Sequence, residues 1–498
     1  MPVIVGTNGN DDLTGGPLGD TIIALAGDDI IRSGAALPGE FYGGLGNDTY
    51  FITRPDTIVE NPGEGTDTIS TTLNDYTLPA NVEDLIFTGT GPFAGHGNNL
   101  NNHLTGSGDR DRLEGGDGND TLMGGGGDDV LDGGAGFDVM DGGMGNDTYL
   151  FDGIESVNDA GGNDTVVFTV AGTFTMPGAI ENAVATLDGT YVTGNGGNNV
   201  FTGGAGSQTF AGRGGSESFD GGDGVDTIDY SGAFLSLRLD LNQGQATANG
   251  WGGTDVIANI ENVVGTMQND VIVGNASANT LNGLTGSDTL AGLGGDDVLI
   301  GAGELIGGDG NDIYWVDSTS STLVEVAGGG SDTVFTHSST FILPDNVETV
   351  VFLGLGNFLG IGGSTSNGLK GGEGNDTLSG MGGDDVLVGD SGNDELQGGA
   401  GADLFRYFGG QTGLDRILDF TANEDKLQVS SAFYHPVGTL QFVAGPGASS
   451  NSANATFLYD TNTGIVSFDS DGTGAAAAVQ LAQLNTGLTL TVSDFGVF

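Results

Sequence analysis

The sequence predicts an all-β protein: a parallel β-roll or β-helix of Gly-rich nonapeptide repeats, interrupted by longer β-spacers and followed by a small C-terminal β domain. Three observations predict this. Leu104, Leu113, Leu122, Leu131, Met140 and Tyr149 recur at intervals of nine residues, and from Leu113 onward each follows an Asp by two positions. Between them the chain repeats Gly-Gly-x-Gly-x-Asp, as in Gly115-Gly116-Asp117-Gly118-Asn119-Asp120-Thr121-Leu122-Met123. The 498 residues include 98 Gly without a three-residue period, which excludes collagen, and 67 acidic against 10 basic side chains. A nine-residue period fits neither a helical heptad nor a hairpin. It reads as one Gly-rich turn and one very short strand, used repeatedly.

The first block, residues 1–51, carries Asp11/Leu13, Asp20/Ile22 and Asp29/Ile31, then slips before Gly43-Gly44-Leu45-Gly46-Asn47-Asp48-Thr49-Tyr50. A spacer at 52–96 leads to the second block, 97–150, and a further spacer at 151–193 leads to the third, 194–229. There the apolar slot holds Phe201, Phe210, Phe219 and Ile228. After the spacer 230–264, the fourth block, 265–315, has Ile272, Leu281, Leu290 and Leu299, a short insertion at Gly301–Ile306, then Tyr314. The spacer 316–361 precedes the fifth block, 362–406, with Leu369, Leu378, Leu387, Leu396 and Phe405.

Three spacers repeat a pattern of their own. Gly65-Thr66-Asp67-Thr68, Gly162-Asn163-Asp164-Thr165 and Gly330-Ser331-Asp332-Thr333 are each followed by a Leu/Met-Pro and then by Glu83, Glu181 or Glu348. Runs such as Asp84-Leu85-Ile86-Phe87 and Thr349-Val350-Val351-Phe352 alternate as strands do. No amphipathic helix is evident before residue 470. From about Tyr407 the frame is lost, and residues 407–498 form a distinct C-terminal segment.

The formal net charge of -57 makes the chain repel itself unless something cationic joins it. Nucleic acid and anionic membranes are therefore poor partners, no nucleic-acid partner is expected, and divalent cations are good ones. The absence of Cys removes disulfides and thiolate metal sites. No apolar run is long enough to span a bilayer, and the start, Met1-Pro2-Val3-Ile4-Val5-Gly6, lacks the pattern of a cleavable secretory signal.

Within the nonapeptide the glycines permit positive φ, and Asn119, Asp128 and Asn146, just before the key Asp, are expected to tolerate left-handed geometry. Two repeats would make one coil, placing Asp120 above Asp138 and Asp129 between Asp111 and Asp147, with rungs ~4.8 Å apart. Carboxylates stacked in this way repel unless a cation lies between them. Ca²⁺ suits such a site because it accepts many oxygen ligands in irregular geometry. Mg²⁺ demands a tighter octahedron, and Zn²⁺ normally recruits His or Cys.

These repeats resemble the repeats-in-toxin (RTX) family, haemolysin-type proteins with calcium-binding nonapeptides. The resemblance covers most of residues 6–406. It implies a parallel β-roll with Ca²⁺ held by turn Asp side chains and turn carbonyls. It carries those roles onto Asp111, Asp120, Asp129, Asp138, Asp147, Asp376, Asp385, Asp394 and Asp403, and with a less complete motif onto Asp11, Asp20, Asp29, Asp48, Asp270, Asp288, Asp297 and Asp312. The third block departs, with Asn199, Gln208, Glu217 and Asp226 at the key position, and is expected to stack on its Phe ladder with few or no ions. Asn279 interrupts the fourth block in the same way, and Asp109 replaces a turn Gly beside Asp111. The ending, including Asp415-Arg416-Ile417-Leu418-Asp419-Phe420 and the apolar stretch after Asp494, is similar to a type I secretion signal, which implies an extracellular or cell-surface location and the type I machinery as a partner. A β cap on the roll is compatible with it.

Other motifs read as structure. Gly389-Asp390-Ser391-Gly392-Asn393 falls in the repeat frame with no His nearby in sequence, which opposes a serine nucleophile. Asp469-Ser470-Asp471-Gly472 lacks the Glu that would complete an EF-hand loop and reads as a turn. His96, His103, His337 and His435 form no His-Glu-x-x-His pair, and Trp251 and Trp315 are expected to pack. The functional expectation is a secreted, calcium-binding structural protein of a surface layer, filament or matrix, able to self-assemble and not an enzyme. The alternatives are a calcium-dependent adhesin or carbohydrate-binding module and, third, an RTX enzyme or toxin. The enzyme reading is disfavoured because repeats begin near Gly6.

Overall fold

Each nonapeptide lays down one short strand, and successive repeats alternate between two parallel sheets. The computed structural model describes residues 2–318 and 321–498; Met1 and, within the spacer 316–361, Thr319 and Ser320 lie outside the described residues. In the second block Arg112–Asp117, Val130–Ala135 and Thr148–Phe151 run in one sheet, and His103–Thr105, Thr121–Gly126 and Val139–Met144 in another. The register pairs Leu113 with Leu131 and Leu131 with Tyr149, and on the other sheet Leu104 with Leu122 and Leu122 with Met140. Because side chains alternate across a strand, only the central residue of each triplet points inward. All six of these residues are completely buried.

The chain divides into two compact units, Met1–Asp229 with Trp251–Ile260, and Tyr230–Gly250 with Glu261–Phe498. In the first, the spacers are not linkers but further coils of the same ladder. Tyr50 pairs with Ile69, Ile69 with Leu85 and Leu85 with Leu104. Likewise Tyr149 pairs with Val166, Val166 with Ala183 and Ala183 with Phe201. The third block has the expected aromatic core: the rings of Phe201 and Phe219 stack at 4.9 Å, and Phe210 lies 5.4 Å from Phe201.

In the second unit Leu290 pairs with Leu305 and Leu299 with Tyr314. The expected insertion at Gly301–Ile306 is therefore corrected. It is a shortened half-coil, across which the N–H of Asp297 reaches Asp312 at a separation of fifteen residues rather than eighteen. The ladder continues from Tyr314 through Val334, Val350, Leu369, Leu387, Phe405 and Leu427. The C-terminal segment is built onto it: Phe495–Val497 pairs with Lys426–Val429, and Val479–Gln483 pairs with Asp415–Ile417. Ile465–Asp469 and Thr456–Asp460 extend the latter sheet in antiparallel fashion. One helical turn, Ser431–Tyr434, is the only α-helix among the described residues, and no helix is long and apolar enough to cross a membrane.

Candidate metal centres

The key Asp of each repeat uses its two carboxylate oxygens differently. Asp120, Asp129, Asp138 and Asp147 are each 1% exposed. One oxygen, Oδ1, accepts the backbone N–H of the residue one coil earlier. Asp111 donates to Asp129, Asp120 to Asp138 and Asp129 to Asp147, each at 2.7 Å. The fifth block repeats this, with Asp376 donating to Asp394 at 2.8 Å and Asp385 to Asp403 at 2.9 Å. The gap between stacked carboxylates, expected from the sequence to take the cation, is thus bridged by an N–H.

A second expectation is also corrected. Asn119, Asp128 and Asn146 do not take left-handed backbone geometry. Their side chains instead accept the N–H groups of Phe137, Asn146 and Asn163 at 2.8–2.9 Å, forming an outer ladder parallel to the buried one. Their short polar side chains act between coils rather than on their own backbone.

The other oxygen, Oδ2, is buried and accepts no hydrogen bond in Asp29, Asp48, Asp120, Asp129, Asp138, Asp147, Asp288, Asp297, Asp312, Asp376, Asp385, Asp394 and Asp403. Except in Asp29, whose repeat has Ala24 at that position, it points at the first Gly of its own repeat. A Cβ on Gly124 would collide with Asp129 Oδ2 and lie 2.8 Å from the carbonyl oxygen of Gly142 in the next coil. Gly115, with Asp120 and the Gly133 carbonyl at 2.5 Å, and Gly380, with Asp385 and the Gly398 carbonyl at 2.6 Å, are arranged alike. A carboxylate oxygen and a carbonyl oxygen therefore converge where a side chain is missing. A buried anion without a partner is costly, and an oxygen-only donor set is that of a hard cation such as Ca²⁺.

Whether Oδ2 is available depends on the residue four positions before the Asp. At Gly116, Gly125, Gly134, Gly143, Gly372 and Gly399 φ is positive, between 90° and 108°, and the carboxylate they precede has an unpartnered oxygen. Leu25, Leu284, Leu293, Met381 and Asp390 hold the same left-handed geometry, φ 60° to 88°, ahead of Asp29, Asp288, Asp297, Asp385 and Asp394. Such geometry is unfavourable for side chains other than Gly, so the coils must impose it. Where φ at this position is not positive, the turn's own N–H closes the site. Thr7 donates to Asp11 at 2.6 Å, Gly16 to Asp20 at 2.5 Å, Ser107 to Asp111 at 2.5 Å and Thr266 to Asp270 at 2.6 Å. Asp20 keeps an unpartnered Oδ1 instead, because the residue one coil earlier is Pro2, which has no N–H to give.

The sequence departures have a matching cause. Asn199 Nδ2 donates to the carbonyl of Glu181 at 3.3 Å and Asn279 Nδ2 to that of Glu261 at 2.8 Å. The amide fills with a hydrogen bond the role a cation would otherwise take. Burial pushes the carboxyls of Asp129, Asp297, Asp376 and Asp385 up to about 7, and those of Asp48, Asp120 and Asp288 up to about 6. The N–H donors oppose that rise, and neighbouring carboxylates add to it. The Ser391 motif belongs to the repeat: Gly389 to Ser391 close the strand Val386–Ser391, and Gly389 is the Gly faced by Asp394.

The family described as "RTX calcium-binding nonapeptide repeat (4 copies)" matches residues 4–36, 96–131, 123–153, 193–228, 264–303, 361–396 and 370–405. The repeats of this chain are RTX calcium-binding nonapeptide repeats. Their open turns fit several Ca²⁺ ions, which Asp Oδ2 and the facing Gly carbonyl would hold. A stretch of 89 residues of this RTX chain is similar, at 40% identity, to the endo-1,3-1,4-beta-glycanase ExsH of Rhizobium meliloti (strain 1021), covering 18% of the chain and 19% of the glycanase. Among solved structures, the extracellular lipase LipA from Serratia marcescens aligns at 14% identity and a TM-score of 0.15, over 87% of this chain and 45% of the lipase. The chain thus spans less than half the length of either relative in these alignments.

Sequence reasoning missed one group of acids. Asp67, Asp164 and Asp332 of the spacers are buried and continue the Oδ1 ladder, accepting the N–H groups of Asp48, Asp147 and Asp312 at 2.7–2.8 Å. The recurring Gly-x-Asp-Thr was the available signal.

Proposed function

We propose that this RTX protein is a secreted structural component, of a surface layer, extracellular filament or matrix, whose roll is completed by extracellular Ca²⁺. The observation that carries the reading is the series of buried Asp oxygens without partners in a chain of formal charge -57. In a low-calcium cytoplasm such carboxylates oppose folding, which suits passage of an extended chain through a type I secretion channel. Outside, each ion that binds only the folded state adds its binding free energy to stability, about 2.7 kcal/mol per site at a hundredfold excess over Kd. The proposal includes no catalytic step. Circular dichroism of the purified chain should show β structure in millimolar Ca²⁺ and its loss in excess chelator. Equal β content in both would overturn the reading.

Self-assembly is part of the proposal. Val3–Val5 pairs on one side only among the described residues, and Val3 and Val5 are 59% exposed, so a second copy could add to this edge. Electron microscopy in calcium should then show filaments or lattices, whereas isolated particles at all concentrations would remove assembly from the reading. A carbohydrate-binding module is the second reading. It is favoured by Trp315, which stacks on Phe335 at 4.9 Å while remaining 41% exposed, in the manner of an aromatic platform.

A further inference from the structure

Three repeats end differently from the rest. Their inward slot holds Tyr50, Tyr149 or Tyr314, where the other repeats carry Leu, Ile, Met or Phe. Each is the last repeat before a spacer with the Gly-x-Asp-Thr pattern, and each hydroxyl reaches an acid of that spacer. Tyr50 donates to Glu60 Oε1, Tyr149 to Asp159 Oδ2 at 2.5 Å, and Tyr314 to Glu325 Oε1. Tyr is present in the slot only where a spacer acid comes within its reach.

These acids join two others. Asp48, Glu60 and Asp67 each offer a carboxylate oxygen, all within 4.8 Å of one another, and so do Asp147, Asp159 and Asp164, and Asp312, Glu325 and Asp332. Two further facts set these clusters apart from an ordinary acidic patch. First, Asp48 Oδ2, Asp147 Oδ2, Asp164 Oδ2 and Asp312 Oδ2 are buried without a hydrogen-bond partner, in residues at most 1% exposed. Second, those of Asp48, Asp147 and Asp312 are aimed into the clusters. Asp48 Oδ2, Glu60 Oε1 and Tyr50 Oη all crowd the point where Gly43 lacks a Cβ. Asp312 Oδ2, Glu325 Oε1 and Tyr314 Oη do the same at Gly307, and Asp147 Oδ2 with Tyr149 Oη at Gly142. None of the nine carboxylates pairs with Lys, Arg or His among the described residues.

We propose that these three clusters are a second class of cation site, one at each junction between a block and a Gly-x-Asp-Thr spacer, made of three carboxylates and taking a hard divalent ion of the calcium type. An ordinary repeat offers one carboxylate oxygen and carbonyls. A junction adds two acids from the spacer, with the Tyr hydroxyl orienting one of them. Three carboxylates converging in a buried space need a compensating charge, and an all-oxygen, carboxylate-rich set favours Ca²⁺ over softer metals. The ion would tie the first turn of each of these three spacers to the last coil of the preceding block. The inference rests on the calcium reading for the identity of the ion, but its ligands Glu60, Asp159 and Glu325 lie outside the nonapeptides.

The test uses the full chain carrying Glu60→Gln, Asp159→Asn and Glu325→Gln, with bound Ca²⁺ counted by equilibrium dialysis and folding followed by circular dichroism. The expected result is a chain that still folds with calcium but binds up to three fewer ions, or binds that many at least tenfold more weakly. An unchanged count with unchanged affinities would overturn the proposal. Failure of the unaltered chain to bind Ca²⁺ at all would instead sink the calcium reading itself. Should the triple variant not fold, the combined Tyr50→Phe, Tyr149→Phe and Tyr314→Phe variant keeps every carboxylate. Terbium emission excited through tyrosine should then fall well below that of the unaltered chain, and equal emission would count against the sites.

Discussion

The backbone N–H of Ser107 lies 2.5 Å from Oδ2 of Asp111. Eighteen residues on, Gly125 has φ 108° and Asp129 Oδ2 accepts no hydrogen bond. These two turns share one motif but differ in whether the carboxylate is satisfied by its own backbone, and this separates structural Asp residues from candidate ligands.

Asp129→Asn should therefore remove an ion or weaken its binding by on the order of tenfold or more. Asp111→Asn should leave the ion count unchanged, because its Oδ2 already has a donor. Calcium titration by isothermal calorimetry measures both, and equal losses would contradict the distinction.

Gly124→Ala should lower both calcium affinity and thermal stability, since the new Cβ would overlap Asp129 Oδ2 and press on the Gly142 carbonyl. Gly126→Ala in the same turn is the control. A Cβ there meets nothing closer than 3.7 Å and φ is not positive, so its effect should stay within about 0.5 kcal/mol. Thermal melts in saturating calcium distinguish the pair.

Without calcium the roll should become more stable as pH falls. Asp129, Asp376 and Asp385 titrate at about 7 when folded, chiefly through burial, against ~3.9 for an unfolded Asp. Between those values the folded chain binds more protons than the unfolded one, so stability falls as pH rises. Their contribution is fully present below pH ~4 and is lost as pH passes through about 7. In chelator, circular dichroism should show β structure returning on acidification from pH ~8 to ~4. In calcium, the same acidification should release ions, because protons compete for the carboxylates.

Phe210→Ala should destabilise the first unit by about 3–5 kcal/mol while leaving calcium affinity elsewhere unchanged. Phe210 is fully buried, and its ring meets those of Phe201 and Phe219 in a block whose key positions include Asn199 and Gln208. Denaturant unfolding in saturating calcium reads the loss, and a loss that vanished there would make this block calcium-dependent after all.

The coil was legible in the sequence because its two determinants are periodic. Leu113, Leu131 and Tyr149 stack as their spacing requires, and Asp120 lies over Asp138. The spacers were harder. Tyr50, Ile69, Leu85 and Leu104 follow one another in the sheet at uneven intervals, so periodicity alone could not show that 52–96 continues the ladder.

The sequence by itself determined the parallel roll, the calcium chemistry and the Phe core of the third block, since each follows from residue type at a fixed interval. Only the tertiary structure decided which carboxylates have an oxygen to give. That choice depends on the sign of φ at Ser107 or Gly125 and at Thr266 or Met381, and Met381 takes its left-handed turn only because neighbouring coils hold it there. The structure also brought Glu60 to Asp48 and Asp67, acids whose meeting depends on the path of a spacer with no regular period.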